Sequence, residues 1–188
     1  MTTLRNTQTA WGGVAKLFHW LGALLVLFLT ADGWWMTHLA ERAGRLQHYE
    51  LHSVIGYYLL LLLALRLAWR VANPAPALPQ ELKRWERAAA LTAHWLLYAL
   101  MLAVSVSGWM VADTFRRPLE ATLFGAVPVP HLLDASYRQY RGLIEASHEA
   151  LSYVLLALVV VHVAGALRHH YLKKNDVLRR MSWGWSGR

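Results

Sequence analysis

Four stretches of the chain, about Val14 to Thr37, His48 to Val71, Ala89 to Ala112 and Leu143 to Tyr171, are apolar almost without a break, and the charged residues collect between them. Each stretch reaches the roughly 20 residues that a helix needs to cross a bilayer. The pattern predicts an all-α membrane protein, a bundle of four transmembrane helices forming a single membrane domain over 1–188. Met1 to Gly13 lacks the basic start and small-residue cleavage site of a secretory signal, so the first block is read as mature structure. Asn73-Pro74-Ala75-Pro76 ends the second helix, because proline removes a backbone donor and restricts the residue before it. The first connection, Leu39 to Gln47, is short and polar, and the second, running to Glu86, is basic. The third, 113–142, is long and contains Pro118, Pro128 and Pro130, with amphipathic character around Leu119 to Phe124. Connections of that length are functional or carry a small element of their own. A basic tail, 172–188, closes the chain with Arg179-Arg180 and Trp183-Gly184-Trp185.

Charge fixes the expected orientation. The 188 residues are 56% hydrophobic yet carry a formal net charge of +8. Taken alone, such an excess suits nucleic acid or an anionic surface. Its distribution speaks for a membrane topology instead, and against a nucleic-acid partner. The N-terminal end, second connection and tail hold 13 of the Lys and Arg residues, and the first and third connections hold 6. The positive-inside rule then puts both termini in the cytoplasm and makes 113–142 the outer connection. Eight of the 11 acids fall on the outer side. With no cysteine, disulfides, thiolate-ligated haem, iron–sulfur clusters, Cys-type zinc sites and c-type haem attachment are excluded. Ten histidines are the main ligands left, and the 10 Trp and 8 Tyr suit interfacial belts.

His148 and His162 are 14 residues apart in the fourth block. On a helix that spacing is roughly 21 Å along the axis and about 40° around it. One helix can thus serve two sites, one towards each bilayer surface. His19 falls at the inner level with His162, and His52 at the outer level with His148. Two neutral imidazoles on facing helices are what a non-covalently held haem b requires, one nitrogen to each face of the iron. Gly33 and Gly108 share the outer level and leave room for a flat macrocycle, and Gly56 lies one turn beyond His52. Arg66, inside the second span, asks for an anion, and with Arg70 it suits haem propionates. A single intramembrane histidine reads more readily as a packing residue, and zinc or copper is the metal alternative, although such a site takes its ligands at one depth. His94 shares the inner depth and is open between packing and a propionate or quinone contact. His169, seven residues beyond His162 at the membrane boundary, is either an interfacial residue beside Lys173 and Lys174 or part of a quinone or proton site. His170 points elsewhere, and His38, His48 and His131 read as outer-surface residues.

Phe18-His19-Trp20, His52-x-x-x-Gly56 followed by Arg66 and Arg70, His94-x-x-x-Tyr98, Ser107-Gly108-Trp109, His148-Glu149, His162 and His169-His170-Tyr171 together resemble the bacterial cytochrome b561 family, related to the cytochrome b subunits of nickel hydrogenases. The resemblance runs from about Val14 to Met181. Where the family's third helix often has a proline three residues before its glycine, this chain has Ser105. The resemblance implies a four-helix protein of the bacterial inner membrane with two haem b groups, His19 and His162 on the inner iron and His52 and His148 on the outer. Two protein ligands per iron leave no open position, which favours outer-sphere electron transfer over oxygen chemistry. The expected function is electron transfer across the membrane between a periplasmic donor or acceptor and the ubiquinone pool. Some members oxidise superoxide and reduce ubiquinone, which would make the chain an oxidoreductase. Arg116, Arg117, Arg138 and Arg141 form an outer basic group that could draw in a small anion, or that pairs with Asp113, Glu120, Asp134 and Glu145. A haem-bearing anchor for a periplasmic dehydrogenase or hydrogenase, with a redox partner protein docked on the long connection, is the alternative. A haem-free membrane protein is the third reading.

Overall fold

The computed structural model describes residues 3–38, 42–79, 81–116 and 119–183, and of 42–44 the backbone alone. Four long helices dominate: α1 (Gly13–His38), α2 (Arg42–Ala72), α3 (Arg84–Asp113) and α4 (Arg141–Tyr171). All four contain stretches long and apolar enough to span a bilayer. α2 starts six residues before the apolar block does, and α3 five residues before, because a helix can run on past the membrane boundary into more polar sequence. Ser105 leaves α3 unbroken.

The helices pack in chain order, α1 on α2, α2 on α3 and α3 on α4. Val26, Leu59, Leu63, Tyr98, Met101 and Leu155 are buried together as a central apolar layer. Elsewhere large apolar side chains such as Leu24, Trp34, Leu65, Trp95 and Val160 face outwards, as helices in lipid require. Both ends of the described chain, from residue 3 and up to residue 183, lie at one end of the bundle. There Asn6 donates to the carbonyls of Asn73 and Pro74, Ala77 N–H donates to Gln8, Arg180 donates to the Ala77 carbonyl, and Trp20 Nε1 donates to Met181. Arg168 and Glu86 join the end of α4 to the start of α3 at 3.0 Å.

At the opposite end the long connection folds into a small antiparallel hairpin, β1 (Thr122–Leu123) and β2 (Val127–Pro128), followed by a 3-10 turn over Ala135–Tyr140. Buried Asp113 anchors it: one carboxylate oxygen accepts from His131 Nδ1 at 2.7 Å, the other from the Leu132 and Leu133 amides. Arg117, Pro118 and Trp185, together with Leu39 to Glu41 of the first connection, lie outside the described residues.

Candidate functional site

The helices that pack directly are not the helices that present facing histidines. His19 on α1 meets His162 on α4 with ring centroids 6.2 Å apart, and His52 on α2 meets His148 on α4 at 6.3 Å. Two imidazoles bound to opposite faces of one iron bring their centroids to about 6 Å, a bond of roughly 2 Å plus a ring radius of roughly 1 Å on each side. Both pairs therefore have the spacing of a shared metal before any metal is considered. Three or more His, Cys, Asp or Glu in a metal-sized cluster do not occur among the described residues.

At the far end from the termini, the environment sets the tautomer. His148 Nδ1 lies 3.1 Å from the Val104 carbonyl and 3.0 Å from Ser107 Oγ, while Ser107 itself donates to Val104. A carbonyl can only accept, so the His148 proton sits on Nδ1 and the Nε2 lone pair is free for a metal. Gly108 makes this placement possible, since a Cβ there would come within 2.9 Å of His148 Cε1. Gly33 does the same for His52, where a Cβ would lie 3.3 Å from Cε1. Gly56, one turn from His52, has nothing within 4 Å of its Cβ position and opens on free space.

Sequence reasoning missed Asp32. It is 7% exposed on α1, beside Gly33. Its Oδ1 accepts from His48 Nδ1 at 2.6 Å, and its Oδ2 lies 3.4 Å from His52 Nδ1, neither of those last two atoms having a closer partner. His48 is thus half-buried in this group rather than an ordinary surface residue. The available signal was a carboxylate inside an apolar helix, which by default has a purpose.

The pair near the termini differs. Arg66 Nη2 donates to His19 Nδ1 at 3.0 Å, and an arginine can only donate. The proton of a neutral His19 therefore sits on Nε2 here, and ligation through Nε2 requires Arg66 to release Nδ1. Arg66 and Arg70 both lie over the Tyr98 ring, at 5.2 and 5.7 Å, and Arg70 also over Trp95. His94 stands 5.3 Å from His162, centroid to centroid. His169 Nδ1 accepts from Asn175 Nδ2 at 2.9 Å, and the ring lines a cavity of about 700 Å³ with Leu78, Leu82, Glu86, Lys173 and Arg180.

Of the charge pairs expected on the long connection, Arg141 with Glu145 forms, and Arg141 also covers the Phe115 ring. Asp113 is taken by His131, Asp134 caps the 3-10 turn through the Ser136 amide, and Glu120 faces His131 at 3.8 Å. Arg116 and Arg138 are exposed.

Four membrane-crossing helices carrying facing imidazoles at two levels define a protein of the membrane cytochrome b class. The chain belongs to the prokaryotic cytochrome b561 family, whose profile matches residues 10–184. Cytochrome b561 homolog 2 of Escherichia coli (strain K12) is 34% identical over 177 residues, spanning 94% of this chain and 93% of its own. The probable superoxide oxidase CybB of Yersinia pestis is 26% identical over 166 residues, 87% and 90% of the two chains. Cytochrome b561 homolog 1 of Escherichia coli (strain K12) is 26% identical over 171 residues, 87% and 91%. Membership makes the chain a haem b electron-transfer protein of the bacterial inner membrane, crossing it several times.

Proposed function

We propose that the chain holds two haem b groups, His19 and His162 ligating the inner iron and His52 and His148 the outer, and passes electrons from a periplasmic donor to ubiquinone. The observation that carries this reading is the pair of matching centroid separations, 6.2 and 6.3 Å, at two levels of one helix. Haem bound there supplies reversible one-electron chemistry. His148, with Nδ1 fixed on Val104, offers Nε2 without rearrangement. Arg66, once released from His19, and Arg70 beside it are free to neutralise propionates, with His94 a second polar neighbour at that level. Two imidazoles at each level would leave a bound haem no open position for substrate, so that reactants would exchange electrons at the edges of the site.

Superoxide is the donor we favour, on the strength of the relative named a probable superoxide oxidase. Two superoxide ions release two electrons as they become oxygen. With two protons these convert one ubiquinone to ubiquinol. Exposed Arg116 and Arg138 supply local positive charge on the outer face for a small anion. At the other face, the cavity containing His169 and Asn175 combines apolar walls at Leu78 and Leu82 with hydrogen-bonding groups, which suits a quinone head and its protons.

The test is superoxide-driven ubiquinone reduction by purified protein at low ionic strength. The reading expects turnover without any partner protein, slowed several-fold when Arg116 and Arg138 are both changed to Glu and slowed independently by His169→Ala. Turnover seen only after adding a periplasmic dehydrogenase would replace the superoxide reading with that of an anchor subunit.

A further inference from the structure

The hairpin of the long connection is built of the wrong residues for a loop in water. From Ala121 to Pro130 the ten residues are Ala-Thr-Leu-Phe-Gly-Ala-Val-Pro-Val-Pro, with no charge among them. Charged or titratable residues bracket the strip, Glu120 before it and His131 after it. Its tip is exposed: Phe124 at 71% and Val127 at 55%. Phe124 is held at φ +54°, ahead of Gly125 at +69°. A bulky residue in that region is strained, commonly by about 1–3 kcal/mol, and persists where its surroundings over-determine it.

What holds it is α2. Phe124 N–H donates to Tyr58 Oη at 2.9 Å, and the two rings meet edge-on at 5.5 Å. Tyr58 lies six residues beyond His52, about 9 Å further into the membrane along the axis. A helical side chain leans back towards its N-terminus, and the shorter His52 side chain leans the same way, so the hydroxyl lies no further out than about the level of the outer histidine pair. α2 continues outwards another ten residues from His52 to Arg42, roughly 15 Å. The tip therefore hangs well below the helix end, alongside the bundle. Trp109, also at the level of that pair, fixes the strip's other end by donating to the Pro130 carbonyl at 2.9 Å.

Three backbone donors of the strip are paired. Besides Phe124, the Ala126 amide bonds to Leu123 and the Val129 amide to Ala121, while Pro128 and Pro130 have no N–H. Tyr58 is moreover a wall of a shallow apolar groove of about 160 Å³, shared with Leu21, Leu25, Leu61, Leu62 and Leu65 on α1 and α2. The exposed tip is thus continuous with the lipid-facing surface of the helices.

We propose that the Leu123–Val127 tip is a membrane anchor seated among the phospholipid acyl chains of the leaflet on the His52 and His148 side. It pins the long connection against the bundle, so that soluble reactants reach the outer pair only from the side of Asp113, His131 and the 3-10 turn. This rests on the depth of the outer pair, not on which donor the protein uses.

The absence of cysteine from the whole chain makes the test direct. Phe124→Cys and Val127→Cys, each carrying a nitroxide, are reconstituted as haem-loaded protein in vesicles of phosphatidylethanolamine and phosphatidylglycerol. Collision with oxygen, which concentrates in lipid, is compared with collision with a water-soluble nickel chelate. Leu65→Cys on the lipid face of α2, 50% exposed, and Tyr137→Cys on the 3-10 turn, 44% exposed, are the references. The proposal expects an oxygen-to-nickel ratio at 124 and 127 matching that at 65 and several-fold above that at 137. A ratio equal to that at 137 places the tip in water and overturns it. Shielding from both reagents means a protein occupant and overturns it as well. Should Phe124→Cys lose haem, Val127→Cys decides alone.

Discussion

Replacing Asp32 by Asn should raise the midpoint potential of the outer haem and move the inner one far less. Asn keeps the shape of the buried side chain and its bond to His48 while removing the negative charge 3.4 Å from His52 Nδ1. An iron bound to Nε2 of that ring would stand about 7 Å from the carboxylate, so at an effective dielectric of about 20 the charge favours the ferric state by about 2 kcal/mol. For one electron that is a shift on the order of 100 mV. The inner iron, roughly 21 Å away along α4, should move far less. A carboxylate behind a ligating imidazole also fixes its orientation, and its loss typically weakens metal retention about 10- to 100-fold. The assay is a spectroscopic redox titration of the purified variant in which both haems are resolved, with transfer of haem to excess apomyoglobin as the measure of retention. An unchanged outer potential, or an equal shift in both haems, would refute a direct role for Asp32 behind His52.

Other substitutions probe the same geometry. Gly108→Ala should displace His148, costing about 1–3 kcal/mol as overpacking and abolishing one haem in the optical spectrum, whereas Gly33→Ala, with 3.3 Å of room, should be milder. Ser107→Ala should keep both haems, because the Val104 carbonyl still fixes the His148 tautomer, and loss of the outer haem in this variant would contradict that assignment. The hydrogen bond to Asp113 raises the pKa of His131 above its ordinary 6.5. The stabilisation it gives the long connection is thus complete below about pH 6.5 and lost as pH rises through the raised value. Limited proteolysis between residues 119 and 141 should accelerate over that interval, and Asp113→Asn should make the rate high and independent of pH.

The four spans were legible because lipid imposes long apolar blocks, and the histidine pairs because a 14-residue interval returns to nearly the same face of a helix. Periodicity also put Gly33 and Gly108 at one level with His52 and His148, and Gly33 lies against His52 and Gly108 against His148. Hydropathy marks the membrane rather than the helix, which is why the polar first turn of α2 escaped it. The directions of Arg66 and Arg70 were not readable, since their position over Tyr98 depends on the packing of α3 against α2. Asp32 with His48 and His52 joins two helices through three side chains, and no single-helix pattern reveals such a group. The hairpin was missed for a different reason: its apolar strip is far shorter than a span, and only its bond to Tyr58 discloses its depth.

The most direct measurement is a reduced-minus-oxidised optical spectrum of the purified protein, with haem and protein both quantified, repeated for His19→Ala and His52→Ala. The account predicts two haem b groups per chain and the loss or disturbance of a different one in each variant. A chain that takes up no haem when haem is plentiful would contradict it, and so would a single haem that both substitutions remove.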